Sequence, residues 1–287
     1  MLGKVPLHYF TREFKMARVT YKERIILEQE AARRTWEGYG DPPLRQEPPR
    51  YAEEEAKIPG LGNIFFCAHP DFKSSLEVIM EKCDEVISLR DLAYARIKQG
   101  KYGGLTQNGS FVREGSLFIP KKEDKRILLR DSLVLKDPAH YGCYEVAIDE
   151  LYMPESFNVD AYLEQIGKDN YLILKDTSPV PANRLGEDER AVWLYQDQAK
   201  DYGLFLESLG EKRLVYGHLE KVIPELSFYM YMESDEHIDK QPRPFAQQLW
   251  LGGKDIEGPT STSMIVGDWC LQQYRLRGLR RENPHTD

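Results

Sequence analysis

Residues 105–119 read LTQNGSFVREGSLFI, and this stretch predicts the central feature of the fold. Its Asn108-Gly109 pair is the strongest short signal for a two-residue hairpin, because both central residues of that turn take a positive φ. The flanking residues include Thr106, Phe111 and Val112, which favour strands. We therefore expect an antiparallel hairpin at this point, as part of a larger sheet.

Short runs of strand-forming residues continue in both directions from this hairpin. They are residues 116–119, 126–135, 144–148, 171–174, 204–206, 213–218, 226–232, 248–251 and 264–276. Only two helices are predicted among them, Val159–Ile166 after a capping Asn158 and a second at residues 187–198. About ten strands with few helices predict an α+β, β-rich chain, built as a sandwich, a barrel or a large antiparallel sheet.

The segment before residue 103 has a different pattern. An apolar run, Ile64 to Ala68, is typical of a buried strand, and Ser74 with Glu77 forms a capping box directly after it. Apolar residues then recur at helical spacing as far as Ile97. The spacing predicts one long helix packed on the sheet, or two helices joined near Ser88.

The first sixty residues are predicted to form a separate arm. Thr20 and Glu23 form a capping box for a helix over residues 20–37, and four prolines between residues 42 and 49 then favour an extended strap. The expected domains are therefore an arm and strap at 1–60, a β-rich domain at 61–281 and a tail at 282–287. The apolar side chains expected to contact a partner are Ile25, Ile26 and Trp36.

Charge restricts the class of partner. The chain has 39 basic and 47 acidic residues, a formal net charge of −8. A negative surface repels phosphate backbones, which makes nucleic acid an unlikely partner. Residues 1–24 are basic, with six Lys or Arg against two Glu. That local charge suits an arm lying on an acidic protein neighbour or a second copy, although solvated chain ends are the plainer explanation.

Cysteine content and hydropathy indicate a cytoplasmic protein. The four cysteines, at 67, 83, 143 and 270, are too scattered for a secreted disulfide framework. The sequence starts without the continuous apolar segment of a signal peptide, and it has no apolar stretch long enough for a membrane span.

One candidate catalytic site follows the apolar strand at 64–68. The run Ala68-His69-Pro70-Asp71 resembles the opening of zinc-dependent deacetylases that act on N-acetylglucosaminyl substrates. The resemblance implies a metal site that uses His69 and Asp71, but it covers about five residues. Phe72 and Lys73 stand where the family has a second Asp and a Glu, so a metal ligand is missing.

Two pairs of nitrogen and sulfur ligands give an alternative metal site. Cys67 with His69, and His140 with Cys143, would enclose a tetrahedral zinc if the fold brought the pairs together. No other cofactor is expected. Acidic residues also cluster at Glu145, Asp149 and Glu150, and again between 233 and 239 around His237, where paired carboxyls would suit glycoside hydrolysis and solvated turns are the plainer explanation.

The sequence leaves open whether the protein is an enzyme. It lacks the nucleophile-elbow, phosphate-loop, dinucleotide and zinc-helix motifs. The basic arm and proline strap favour a non-catalytic structural or assembly subunit of a larger complex or homo-oligomer, whose arm contacts a neighbouring chain. The alternative is a metal-dependent hydrolase centred on His69 and Asp71.

Overall fold

The computed structural model of the chain contains one large mixed sheet with helices packed on both of its faces. It describes residues 52–69, 71–141, 150–215, 218–222, 225–226, 235–253, 265–266 and 274–282. The predicted arm helix and the interface candidates Ile25, Ile26 and Trp36 lie outside these residues. Within them, no helix is both long enough and apolar enough to cross a membrane.

The strands and helices are numbered here in chain order. The strands are β1 Glu53–Ile58, β2 Gly62–His69, β3 Glu85–Val86, β4 Ser110–Phe118, β5 Arg126–Leu129, β6 Leu151–Tyr152, β7 Tyr171–Ile173, β8 Val180–Pro181, β9 Glu211–Val215, β10 His218–Val222, β11 Glu225–Leu226, β12 Phe245–Leu251, β13 Ile265–Val266 and β14 Tyr274–Arg281. The α-helices are α1 Phe72–Lys82, α2 Leu89–Gln99, α3 Gly104–Gln107, α4 Leu133–Lys136, α5 Val159–Ile166, α6 Glu189–Tyr195, α7 Ala199–Leu209 and α8 Asp235–Lys240. Short 3₁₀ turns lie at Pro138–His140, Lys168–Asn170, Ala182–Arg184 and Gln196–Gln198.

Ten strands belong to the main sheet of the described residues. Its central order is β1-β2-β14-β4-β12-β13, with β3, β5, β6 and β7 paired at its sides. β14 and β4 run parallel, whereas the other strand pairs described in this sheet are antiparallel. The predicted α+β class with a β-rich sheet is therefore confirmed, and of the three predicted forms the observed sheet is closest to the large antiparallel one.

The two faces of the sheet carry different parts of the core. Alternate residues of β4 point to opposite sides, so Val112 and Phe118 pack with α2, α6 and α7, and Phe111 and Leu117 pack with α1 and α5. We call these sides the α6 face and the α1 face. Phe72 of α1 is fully buried on the α1 face and makes an edge contact with Phe111 at 5.6 Å between ring centroids.

The predicted single long helix is wrong, and the alternative of two helices divided near Ser88 is confirmed. The chain leaves α1 at Cys83, pairs β3 with β14, and begins α2 at Leu89. The Ser88 hydroxyl accepts a hydrogen bond from the Asp91 N–H and so caps α2. The apolar spacing runs through both helices because both pack on the core, and periodicity alone does not register the break between them.

The predicted Asn108-Gly109 hairpin is also wrong. Residues 104–107 form the short helix α3, and β4 begins directly after Gly109. Gly109 does not take a positive φ. A Cβ at this residue would lie 2.4 Å from the Trp250 ring, so a glycine is needed for close packing and not for a turn.

Several local predictions are confirmed and two more fail, one of them at residues 133–135, which were predicted as the end of a strand but lie in helix α4. Helix α5 has the predicted bounds, because the Asn158 side chain accepts the Ala161 N–H at its start. Residues 248–251 lie in β12 and 171–173 form β7, as predicted. Residues 204–206 were predicted as a strand, but they lie in α7, whose buried side faces the α6-face core.

The end of the predicted arm belongs to the sheet. Strand β1, at residues 53–58, pairs antiparallel with β2 and is the first strand of the central order. Near the other end of the chain, the Glu282 N–H donates to the Leu61 carbonyl. Residues 53–60 and 282 are thus continuous with the β-rich domain.

Candidate functional site

Arg96, on α2, is a charged side chain in the interior of the domain. It is 1% exposed, and its guanidinium donates to backbone carbonyls of Leu105, Asn108 and Gly252 at 2.7, 3.2 and 2.8 Å. It also donates to the Tyr202 hydroxyl at 3.0 Å. Arg96 therefore ties α2 to the start of β4, to the end of β12 and to α7.

A second buried arginine lies beside it and has an acidic partner. Arg277 of β14 is 0% exposed and makes two hydrogen bonds with the Glu55 carboxylate, at 2.5 and 2.8 Å. Glu55 is the extra residue at an irregularity in β1, where Glu54 pairs with Phe65 and Ala56 pairs with Ile64. A bulge of this kind redirects a side chain, here toward the sheet interior.

The two guanidiniums converge on one backbone oxygen. Arg277 and Arg96 each donate to the Asn108 carbonyl at 3.2 Å. We call the set of Arg96, Arg277, Glu55 and the carbonyls of Asn108 and Gly252 the arginine anchor. Desolvation is the largest influence on Arg277 and lowers its pKa, whereas the Glu55 carboxylate opposes that shift. Because the nitrogens of both side chains are hydrogen-bonded, the anchor is built to hold chain segments together.

The anchor lies where two segments of the chain join the sheet. Glu55 is at the root of the N-terminal region, in β1. Gly252 is the first residue of the connection from β12 to β14, which also contains β13. The backbone at Gly253 is tightly packed, since a Cβ there would lie 2.2 Å from the Gln107 carbonyl oxygen. Both segments therefore start from one rigid, buried cluster.

His69 and Asp71, the predicted catalytic pair, do lie together at the end of β2. The His69 Nδ1 accepts the Asp71 N–H at 3.0 Å, and the Asp71 carboxylate accepts the Ser74 N–H at 2.8 Å. The second contact makes Asp71 the N-cap of α1. His69 is 7% exposed, and its Nε2 has no hydrogen-bond partner among the described residues.

The structure describes the side chains of two of the four predicted zinc ligands, Cys67 and His69. Cys67 and His69 are both buried on β2, one residue apart, and burial raises the pKa of the Cys67 thiol. A raised pKa disfavours the thiolate that a metal requires. Cys143 and the side chain of His140 lie outside the described residues. Within those residues, no group of three or more His, Cys, Asp or Glu is arranged to hold a metal ion.

The structure brings together members of the two predicted acidic clusters. Glu150 accepts from the Tyr152 hydroxyl at 2.5 Å, and its other oxygen lies 2.9 Å from the His237 Nε2. Gln241 completes the ring, with its amide 2.7 Å from the Tyr152 hydroxyl and 2.9 Å from the His237 Nε2. Glu145, Asp149 and Glu233 lie outside the described residues. The ring joins β6 to α8.

The sequence analysis did not single out the charged residues that are most deeply buried. Arg96, Arg277 and Glu114 are each at most 1% exposed. A weak signal exists for Glu114, which occupies an inward position of an alternating strand. Nothing in the local pattern marks Arg96, because its partners are three backbone carbonyls and a tyrosine hydroxyl that only the folded chain brings together.

Comparison with known proteins gives a likeness of fold. No family model matches the chain, and a search of curated proteins finds no match. A solved structure described as "Accommodation of massive sequence variation in Nanoarchaeota by the C-type lectin fold" is similar, with a TM-score of 0.51 and 15% sequence identity. The match covers 79% of this chain and 100% of that one. The main sheet and its helices thus resemble the C-type lectin fold.

Proposed function

We propose that the protein is a non-catalytic binding and assembly subunit whose residues 1–60 contact a neighbouring protein chain. The observation that carries the proposal is the arginine anchor. Its Glu55 fixes the root of the N-terminal region to the central strand β14 through a buried, two-pronged ion pair. Residues that precede β1 are thereby attached to a strand whose place in the sheet is held by this ion pair.

The connection from β12 to β14 supports the same proposal. Binding residues are commonly placed on connections that a rigid scaffold positions. Here the scaffold holds the connection at Gly252 through Arg96, and β14 resumes the sheet beside β2 and β4. The Nanoarchaeota protein is described as accommodating massive sequence variation by the C-type lectin fold. A fold with that tolerance suits a subunit that varies its binding surface while keeping its core.

Charge favours an acidic protein as the partner. Residues 1–24 carry six basic and two acidic side chains, whereas the whole chain has a net charge of −8. The basic segment is therefore complementary in charge to the surface of an acidic protein, including a second copy of this chain.

Native mass tests the proposal. We expect light scattering of the full-length protein to report an oligomer or a stable complex. Ile25→Asp with Ile26→Asp, or Trp36→Ala, should reduce that mass to one chain. Gln29→Asp is the matched control, because it adds an acidic residue to a polar position of the same predicted helix and should leave the assembly intact.

Deletion of residues 1–50 gives an independent test, because it leaves β1 in place. We expect a folded monomer, with the circular dichroism of the sheet retained. A native mass that the deletion and the apolar substitutions leave unchanged would contradict the proposal.

One observation favours the second candidate, a metal-dependent hydrolase centred on His69 and Asp71. The His69 Nε2 is buried and has no partner among the described residues, which leaves a nitrogen lone pair or N–H for a ligand. Elemental analysis of the purified full-length protein tests this candidate. One zinc per chain that is lost in His69→Gln would support it, and the absence of stoichiometric metal would remove it.

A further inference from the structure

Four side chains on the α6 face of the sheet each have a buried polar atom without a hydrogen-bond partner in the described part of the chain, although Arg130 as a residue is only partly buried. The atoms are Glu114 Oε1, Gln247 Oε1, the Tyr195 hydroxyl and Arg130 Nη1. Glu114 and Tyr195 are 0% exposed, and Gln247 is 1% exposed. Buried polar atoms are nearly always hydrogen-bonded, so this many unpaired atoms in one region requires an explanation.

The strand register places the three sheet residues next to one another. Gly115 of β4 pairs with Leu129 of β5, so the preceding residue, Glu114, lies beside Arg130. Gln247 of β12 pairs with Ser116, two residues from Glu114 and therefore on the same face. The α6 residue Tyr195 packs in the core of that face, where burial raises its pKa and the Glu114 charge adds to that rise.

Contacts made by other atoms of Glu114 and Arg130 hold these two side chains in place. The second oxygen of Glu114 accepts the Leu89 N–H at the start of α2, at 3.0 Å. The Arg130 guanidinium lies over the Trp193 ring at 4.0 Å from its centroid. Each buried polar atom left without a partner lowers the folding equilibrium constant roughly fivefold to a hundredfold. Four such atoms would be hard to retain in a dry core.

We propose that Glu114, Arg130, Tyr195 and Gln247 form an internal site that binds a small hydroxyl-bearing guest, either water or a small polyol. The site offers one acceptor oxygen each from Glu114 and Gln247 and one N–H donor from Arg130. The Tyr195 hydroxyl can act as a donor or as an acceptor. A water molecule has two O–H donors and two acceptor lone pairs and so can complement all four atoms, and a small diol supplies the same two donors from its two hydroxyls. The Glu114 carboxylate disfavours an anionic guest, and the Arg130 guanidinium disfavours a metal cation.

A high-resolution crystal structure of the full-length protein tests occupancy. Crystals grown without polyols should show ordered water within hydrogen-bonding distance of at least two of the four atoms. After a soak in ethylene glycol, elongated density would identify a polyol as a guest, and unchanged density would restrict the site to water. Either result supports the proposal. An empty site, or side chains that turn to pair with other protein groups, would overturn it.

The Tyr195→Phe variant tests the same site in solution. If the hydroxyl binds a guest, its removal should lower the folding equilibrium constant by roughly fivefold, the loss expected for one hydrogen bond. Tyr202→Phe is the matched control, because its hydroxyl is also buried but accepts from Arg96 at 3.0 Å, so its loss must destabilise. A Tyr195→Phe variant that is as stable as the original protein, or more stable, beside a destabilised Tyr202→Phe would show that the site is dry.

Discussion

Glu114 should make the stability of the domain fall as the pH rises through neutrality. Its carboxyl group is wholly buried, and desolvation raises its pKa from an ordinary 4.5 to about 7. The Leu89 N–H and the charges of Arg113 and Arg130 oppose that rise without cancelling it. Tyr195 of α6 and Gln247 of β12 face the same region and carry no formal charge at neutral pH.

The sign and size of the effect follow from this pKa. Between pH 4.5 and about 7 the folded protein binds more protons at Glu114 than the unfolded chain does, so the free energy of unfolding decreases as the pH rises. At ~1.36 kcal/mol per pKa unit, the full decrease is about 3 kcal/mol. This decrease is complete at pH values above the pKa of Glu114 in the folded protein, and it is absent at pH values below the pKa of Glu114 in the unfolded chain.

Urea unfolding of the original protein and of Glu114→Gln, from about pH 5 to about pH 8, measures the effect. The variant keeps an acceptor for the Leu89 N–H but does not titrate, so the difference between the two curves isolates Glu114. We expect that difference to change by about 2 to 3 kcal/mol across the range. Glu123→Gln, at an exposed position, is the control and should follow the original curve. Parallel curves for Glu114→Gln and the original protein would refute the reasoning.

Three further substitutions test the anchor and a helix cap. Arg96→Leu removes four hydrogen bonds and leaves buried carbonyls unpaired, so urea unfolding should show a loss of about 3 kcal/mol or more; a loss below about 1 kcal/mol would argue against the anchor. Gly253→Ala forces a Cβ against the Gln107 carbonyl, and the melting temperature should drop by an amount equivalent to about 1–3 kcal/mol. An unchanged melting temperature would show that the surrounding backbone moves to accommodate the Cβ. Asp71→Ala should cost about 1 kcal/mol in chemical denaturation, whereas Asp71→Asn, which also caps, should cost less; equal losses would place the role of Asp71 elsewhere.

The parts of the fold that were predictable are those fixed by neighbouring residues. Helix α5 has the predicted bounds because Asn158 caps it and apolar residues follow at helical spacing. The division near Ser88 was predicted only as an alternative, and in the structure the Ser88 side chain caps α2 at that point. The α+β class was predicted from many short strand signals taken together. A single error, such as the strand predicted at residues 204–206, therefore does not change the predicted class.

The failures involve contacts between distant parts of the chain. Asn108-Gly109 has the composition of a turn, but the glycine accommodates the ring of Trp250, far along the sequence. Arg96 is invisible as a site residue because it binds carbonyls of residues 105, 108 and 252. His69 and Asp71 were predictable as neighbours, whereas the capping contact of Asp71 depends on where α1 begins. The interface residues Ile25, Ile26 and Trp36 remain a prediction.

The position of β14 affects how the chain reaches its native state during synthesis. This strand follows all the other described strands in the sequence, yet it lies between β2 and β4. A nascent chain that ends before residue 274 therefore exposes two unpaired strand edges, each a template for wrong pairing with another molecule. The parts of the sheet on the two sides of β14 can join through this strand only after about residue 281 has been synthesised, and until then both edges remain open to wrong pairing.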